Sequence, residues 1–194
     1  MTFDPDKHHR RSVRLRGHDY SSSGLYFITI CTYQRQCLFG EIVNGEMRLN
    51  ALGEIVETEW LKTSEIRPKW RLEAWIIMPN HIHGIVTIEQ QQKSIKHGTI
   101  ARVHGVAPLR DATQLKGIAH RKPDSISSFV AGFKSVTTKQ INISRNTPRT
   151  PVWQRNYYDH IIRNNFSLRQ IEQYIQNNPT TWQSDQLYPA QGTA

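Results

Sequence analysis

Two runs of alternating residues, 71–78 and 81–89, meet at Pro79-Asn80, and this junction narrows the possible folds more than any other stretch. In the first run Leu72, Ala74, Ile76 and Met78 alternate with Glu73, Trp75 and Ile77. In the second, Ile82, Val86 and Ile88 fall on one side and His81 and His83 on the other. Period-two alternation belongs to strands and Pro-Asn to turns, so the two runs are expected to pair antiparallel. Two imidazoles on one face of a strand make a ready pair of metal ligands. The plainer reading of the same spacing is two half-exposed histidines on the open side of a sheet.

The rest of the chain supplies partners for that hairpin. Residues 25–33, Leu-Tyr-Phe-Ile-Thr-Ile-Cys-Thr-Tyr, are β-branched and aromatic throughout, as a central strand requires. Residues 38–43 and 46–49 flank Asn44-Gly45, the dipeptide that supplies positive φ to a tight hairpin. Asn50 can cap a helix running to Ile66, with Leu52, Ile55, Val56 and Trp60 on one stripe and Pro68 ending it. Ile126, Phe129, Val130, Phe133 and Val136 predict an amphipathic helix over 125–141 that carries Lys134 and Lys139. Residues 152–162 read as a strand, and a last helix is expected to open at Ser167, with Gln170 as its capping-box partner, and to stop at Pro179. Strands and helices alternating irregularly around hairpins predict an antiparallel α+β sandwich.

A length of 194 residues suits one domain, and no window reaches the run of about eighteen apolar residues that a membrane span needs. Cys31 and Cys37 suit neither a disulfide framework nor a four-thiolate zinc site, so a protein of the reducing cytoplasm is expected. The excess of 25 Lys and Arg over 16 Asp and Glu, a net charge of +9, favours a polyanionic partner. Much of the basic charge is local. Residues 1–19 form a basic arm with Arg10, Arg11, Arg14 and Arg16, and residues 90–123 form a polar, basic insertion expected to be mobile. The organised domain is thus expected at 20–182, with a tail at 183–194.

A metal held by His81 and His83 needs a third ligand. Tyr174 and Asn178 lie one turn apart on the last helix, beside the apolar stripe of Leu168, Ile171 and Ile175. Tyr157 and Tyr158 are also possible nucleophiles by composition. They belong to Trp153-Gln154-Arg155-Asn156-Tyr157-Tyr158, where aromatic and cationic groups interleave, and stacking on such a ring contributes ~1–3 kcal/mol per base. An ordinary half-buried strand has the same pattern, and Lys134 and Lys139 equally suit a solvated helix face.

His81-Ile82-His83, with Tyr174 and Asn178 on a later helix, resembles the HUH single-strand transposases that use one catalytic tyrosine. Gly17-His18-Asp19-Tyr20, Leu38-Phe39-Gly40, Met78-Pro79-Asn80-His81, Trp153-Gln154-Arg155-Asn156-Tyr157-Tyr158-Asp159-His160 and Tyr174-Ile175-Gln176-Asn177-Asn178-Pro179 are similar to the subgroup called REP-associated tyrosine transposases. Together the matches span most of residues 10–182 outside the insertion.

The resemblance implies a ferredoxin-like antiparallel sheet with helices packed on it, the two histidines lying on a central strand under the tyrosine helix. It implies cleavage of single-stranded DNA next to hairpins of the repeated extragenic palindrome type, with Tyr174 as nucleophile and a 5′-phosphotyrosine intermediate. His81, His83 and the amide oxygen of Asn178 would hold Mg²⁺ or Mn²⁺, and no nucleotide cofactor would be needed. Arg10, Arg11, Arg14, Arg16, Lys134, Lys139, Trp153, Arg155, Tyr157 and Tyr158 would contact DNA. The chain would act as a monomer or homodimer near the nucleoid, with no membrane partner. Two rival expectations are a hairpin-binding protein that no longer transposes and a metal phosphodiesterase that uses water.

Overall fold

The computed structural model describes residues 15, 17–89 and 122–189. Arg10, Arg11, Arg14 and Arg16, and nearly all of the 90–123 insertion, lie outside the described residues.

Strand β1 (Gly24–Cys31) is followed by a hairpin of β2 (Gly40–Val43) and β3 (Glu46–Leu49), then helix α1 (Ala51–Ile66). Strands β4 (Trp70–Met78) and β5 (His81–Ile88) come next, then α2 (Ile126–Ser144), β6 (Tyr158–Ile162) and α3 (Asn165–Asn177). The main sheet has the order β4-β5-β1-β6, antiparallel at every junction. Without the β2-β3 hairpin this is the β-α-β-β-α-β arrangement of a ferredoxin-like fold, with α3 added after it. Among the described residues, no helix is long and apolar enough to cross a membrane, and neither Cys31 nor Cys37 is in a disulfide.

Local chemistry fixes the element ends. The Asn50 side chain accepts from the amides of Leu52 and Gly53, each at 3.0 Å, and starts α1. Ser125 caps α2 by accepting from Ser128 N. Asn44 and Gly45 turn the β2-β3 hairpin with φ of 54° and 79°.

Two expectations need correction. Ser167 does not open the last helix; Asn164 does, its side chain accepting from the Ser167 amide at 2.8 Å, so Ser167 already lies in the first turn. Nor is 152–162 one strand. Only 158–162 joins the sheet, and the preceding residues run irregularly with a single bridge from Trp153 to Thr32. The Trp153 indole N–H donates to Thr137 Oγ1 at 2.8 Å, which draws this segment onto α2 and away from the sheet edge.

The sheet divides the interior in two. On its back face Tyr26, Ile28, Ile30, Ile82 and Val86 pack with Trp60 of α1 and Phe129, Phe133 and Ile141 of α2. On its front face Phe27, Ile85 and Ile162 pack with Ile175 of α3 in a smaller cluster. Trp60 reaches the back face at Gly84, where a Cβ would lie 2.3 Å from Trp60 Cζ2. Gly84→Ala is therefore expected to cost ~1–3 kcal/mol through overpacking, read as a lower melting temperature followed by circular dichroism. An unchanged melting temperature would show that Trp60 can move aside at no cost.

Candidate active site

β5 is flanked on both sides, so its side chains are committed to one layer or the other. Ile82 joins the back core, and His81 and His83 turn to the front, as the alternation predicts. Both are buried, at 0% and 2% exposure, because α3 and the segment after it close over them. Their rings lie 4.4 Å apart. Phe27 stacks on His83 at 5.3 Å, and Trp182 lies 5.8 Å from His81.

α3 brings the tyrosine. Ile175 faces the front cluster, which places Tyr174 at its edge, 43% exposed, with its hydroxyl 3.1 Å from His83 Nε2. Asn178 keeps helical geometry (φ −57°, ψ −41°) despite the proline that follows, so it does lie one turn below Tyr174. Its Nδ2 donates to Asp185 Oδ2 at 2.8 Å, and the Tyr174 hydroxyl is 3.3 Å from the same oxygen. The single phenolic proton thus has two acceptors within reach, the His83 nitrogen and the Asp185 carboxylate.

Two polar atoms here are buried and lack a hydrogen-bond partner, His81 Nε2 and Asn178 Oδ1. Such atoms are costly to bury unless something satisfies them. One candidate ligand atom each from His81, His83 and Asp185 lies within 4.8 Å of the others. Two imidazoles, a carboxylate and an orphaned amide oxygen fit a divalent cation in donor type and in burial.

Asp185 is the residue that sequence reasoning missed. It lies beyond Pro179 in a segment expected to be a tail, with no periodicity to mark it. The one signal available was Trp182 nearby, a large apolar side chain with no reason to stand in a solvated terminus.

Burial dominates the electrostatics. It pulls His81 down to about 4, with the Asp185 charge and the Asn178 side chain opposing, and pulls His83 well below the usual imidazole value, helped by His81. Both rings are therefore neutral at pH 7. Tyr174 is pushed up to about 12, first by burial, then by the charge and hydrogen bond of Asp185, with Asn178 acting the other way.

An unfolded histidine titrates near 6.5, so between about pH 4 and 6.5 the unfolded chain binds more protons than the folded one, and stability falls as pH drops. The metal-free protein is expected to lose on the order of 3 kcal/mol through His81 across this window, with His83 adding in the same direction. Urea unfolding at neutral pH and near pH 5 checks this. His81→Gln is expected to flatten the fall, and an equally steep fall in that variant would remove His81 as its cause.

The expected DNA contacts separate. Trp153 is not at a surface; it packs against Phe39 and Phe133 in the back core. Lys134 is also drawn inward, donating to the carbonyls of Gln154 and Asn156 at 2.7 and 2.9 Å, with its ammonium 5.8 Å from the Tyr157 ring. Burial pulls Lys134 down to about 8. Tyr157 is partly buried against the same core. Lys139 is exposed but belongs to α2, behind the sheet. Tyr158 and Arg155 are exposed, and the Tyr158 ring lies 6.2 Å from Phe27 on the front face. A cavity of about 330 Å³ runs beside β6, lined in part by Tyr158, His160 and Arg163.

No protein-family model matches the chain. It is 45% identical over 183 residues to an uncharacterized protein of Haemophilus influenzae, covering 93% of this chain and 94% of that protein. Among solved structures, one described as a REP-associated tyrosine transposase bound to a REP hairpin matches 87% of this chain and 74% of its own, with a TM-score of 0.50 at 20% identity. At that identity the likeness is one of fold.

Proposed function

Because the chain belongs to the same protein family as the Haemophilus influenzae protein and has the fold of a REP-associated tyrosine transposase, we propose that it is a divalent-metal-dependent endonuclease and strand transferase for single-stranded DNA beside hairpins. The observation that carries this reading is the Tyr174 hydroxyl, 3.1 Å from His83 Nε2 at the edge of a site that holds two orphaned buried acceptors. A hydroxyl that close to a nest of cation ligands is where a phosphate oxygen and a nucleophile would meet.

In this reading His81, His83, Asn178 and Asp185 hold Mn²⁺ or Mg²⁺, the nitrogen ligands favouring the first. A bound divalent ion supplies positive charge against a phosphate oxygen. Tyr174 supplies the attacking oxygen. A phenol at about 12 is a weak nucleophile, so its proton must leave as the O–P bond forms, and Asp185 is placed to accept it. The bond from phosphorus to the 3′ oxygen breaks, giving a 5′-phosphotyrosine and a free 3′-OH. Attack by another 3′-OH reverses the step, so joining needs no nucleotide cofactor. The strand would run over Tyr158, His160 and Arg163 along β6. Tyr174 reaches the histidines of its own chain, which supports a site complete in a monomer.

The test uses a hairpin-bearing single strand labelled at its 3′ end, incubated with Mn²⁺ and run on a denaturing protein gel. The expected result is label migrating with the protein, and none when EDTA is present from the start of the incubation. Cleavage with both fragments free would point to water as nucleophile. Binding without cleavage would leave a hairpin-binding protein.

A further inference from the structure

We propose that Asn80 is a positioning residue that fixes His81 in its Nδ1–H form and so keeps the Nε2 lone pair turned into the site. The inference rests on the reading of His81 as a metal ligand.

Asn80 is fully buried in the turn between β4 and β5. Its Nδ2 donates to two backbone carbonyls, Arg35 O at 3.1 Å and Leu187 O at 2.8 Å. A carbonyl can only accept, so both amide hydrogens are committed. Flipping the amide would set Oδ1 against two carbonyl oxygens. The backbone is held as well, since Asn80 O accepts from the amide and the hydroxyl of Thr32.

With the amide so fixed, Oδ1 faces His81 Nδ1 at 2.8 Å and can only accept. Nδ1 must therefore carry the proton. A neutral imidazole has one proton, so Nε2 is left bare, and Nε2 is the buried nitrogen that has no partner. Two remote loops, one holding Arg35 and one holding Leu187, thus determine which nitrogen of His81 can bind a cation. His83 has no such constraint. Its Nδ1 partner is the Thr29 hydroxyl at 2.8 Å, which can donate or accept.

The test starts with the full-length metal-free protein, labelled with ¹⁵N-histidine, at neutral pH. The wild-type spectrum is expected to show His81 as the Nδ1–H form, and finding Nε2–H there would overturn the inference without any variant. Asn80→Ala is expected to shift His81 toward Nε2–H and to weaken Mn²⁺ binding, titrated with no DNA present, about 10–100-fold. Unchanged Mn²⁺ affinity in a folded Asn80→Ala protein would also overturn it.

Asn80→Asp separates positioning from loop-holding, because it keeps an oxygen against Nδ1 and loses both donors to the carbonyls. Its second oxygen faces the two carbonyls, so it is expected to melt lower than the wild type, yet to keep the Nδ1–H form and to bind Mn²⁺ more tightly than Asn80→Ala; a loss of affinity equal to that of Asn80→Ala in the folded protein would sink the proposal. A protein with His81 as Nδ1–H and Asn80-dependent Mn²⁺ binding, but no DNA cleavage, would leave this inference standing and remove the transposase reading.

Discussion

Tyr174→Phe should bind a hairpin-bearing strand as the wild type does and form no covalent adduct with it. The substitution removes one oxygen. The ring keeps its edge contacts with Phe27 at 6.3 Å and His83 at 5.1 Å, and Ile175 next to it still anchors α3. Only the bonds to His83 Nε2 and Asp185 Oδ2 are lost, on a side chain that is 43% exposed, so the fold should hardly change. The expected fall in cleavage is on the order of 10⁴-fold or more, as when a nucleophile is removed from a site that acts as a unit. Tyr157→Phe and Tyr158→Phe should retain the adduct. Tyr157 is packed against the back core, and the Tyr158 ring lies beside Phe27 at 6.2 Å. Normal adduct formation by Tyr174→Phe would reassign the nucleophile.

Ile82→Asp should fail to fold stably, whereas His83→Ala, one residue away, should fold and lose metal-dependent cleavage. Ile82 is 1% exposed in the same cluster as Ile28, Ile30 and Ile77, whose buried members are hydrophobic. An unpaired charge there costs several kcal/mol, which is comparable to the whole stability of a small domain. His83→Ala deletes a neutral ring with two hydrogen bonds and one stacking contact, a loss of ~1–3 kcal/mol. Thermal melting and the labelled-strand assay separate the two. A stable Ile82→Asp protein beside an unfolded His83→Ala protein would mean that the faces of β5 are assigned the wrong way round.

The face of β5 was readable because period two leaves no choice once one side is apolar. The central place of β1 was readable for a related reason, since a strand with no polar side must be covered on both. Asn50 announced its helix by residue type, and the helix that follows Ser125 was announced by its apolar spacing. The end of α3 was harder, because Ser167 and Asn164 both make good caps and only the backbone decides between them. Trp153 and Lys134 carried the composition of a nucleic-acid surface, yet a buried indole and a lysine stem serve packing as well, and their partners Thr137, Gln154 and Asn156 are a matter of tertiary placement. Asp185 had no local signature at all; its role comes from chain reversal after Pro179. Asn80 was legible as a turn residue, and nothing in its neighbours showed that its amide would be gripped by carbonyls 45 and 107 residues away.

The unequal division of the interior bears on access. α1 and α2 share a large aromatic core with the sheet, while α3 meets it in a smaller cluster, where its Ile175 packs with Phe27, Ile85 and Ile162 and its Leu168 and Ile171 are only partly buried. A helix so lightly attached opens at a lower free energy than the layer behind it. The helix that carries the Tyr174 hydroxyl is then the layer expected to open first while the strand bearing both imidazoles stays clamped from the rear, so opening the site and keeping its shape draw on separate reserves of stability.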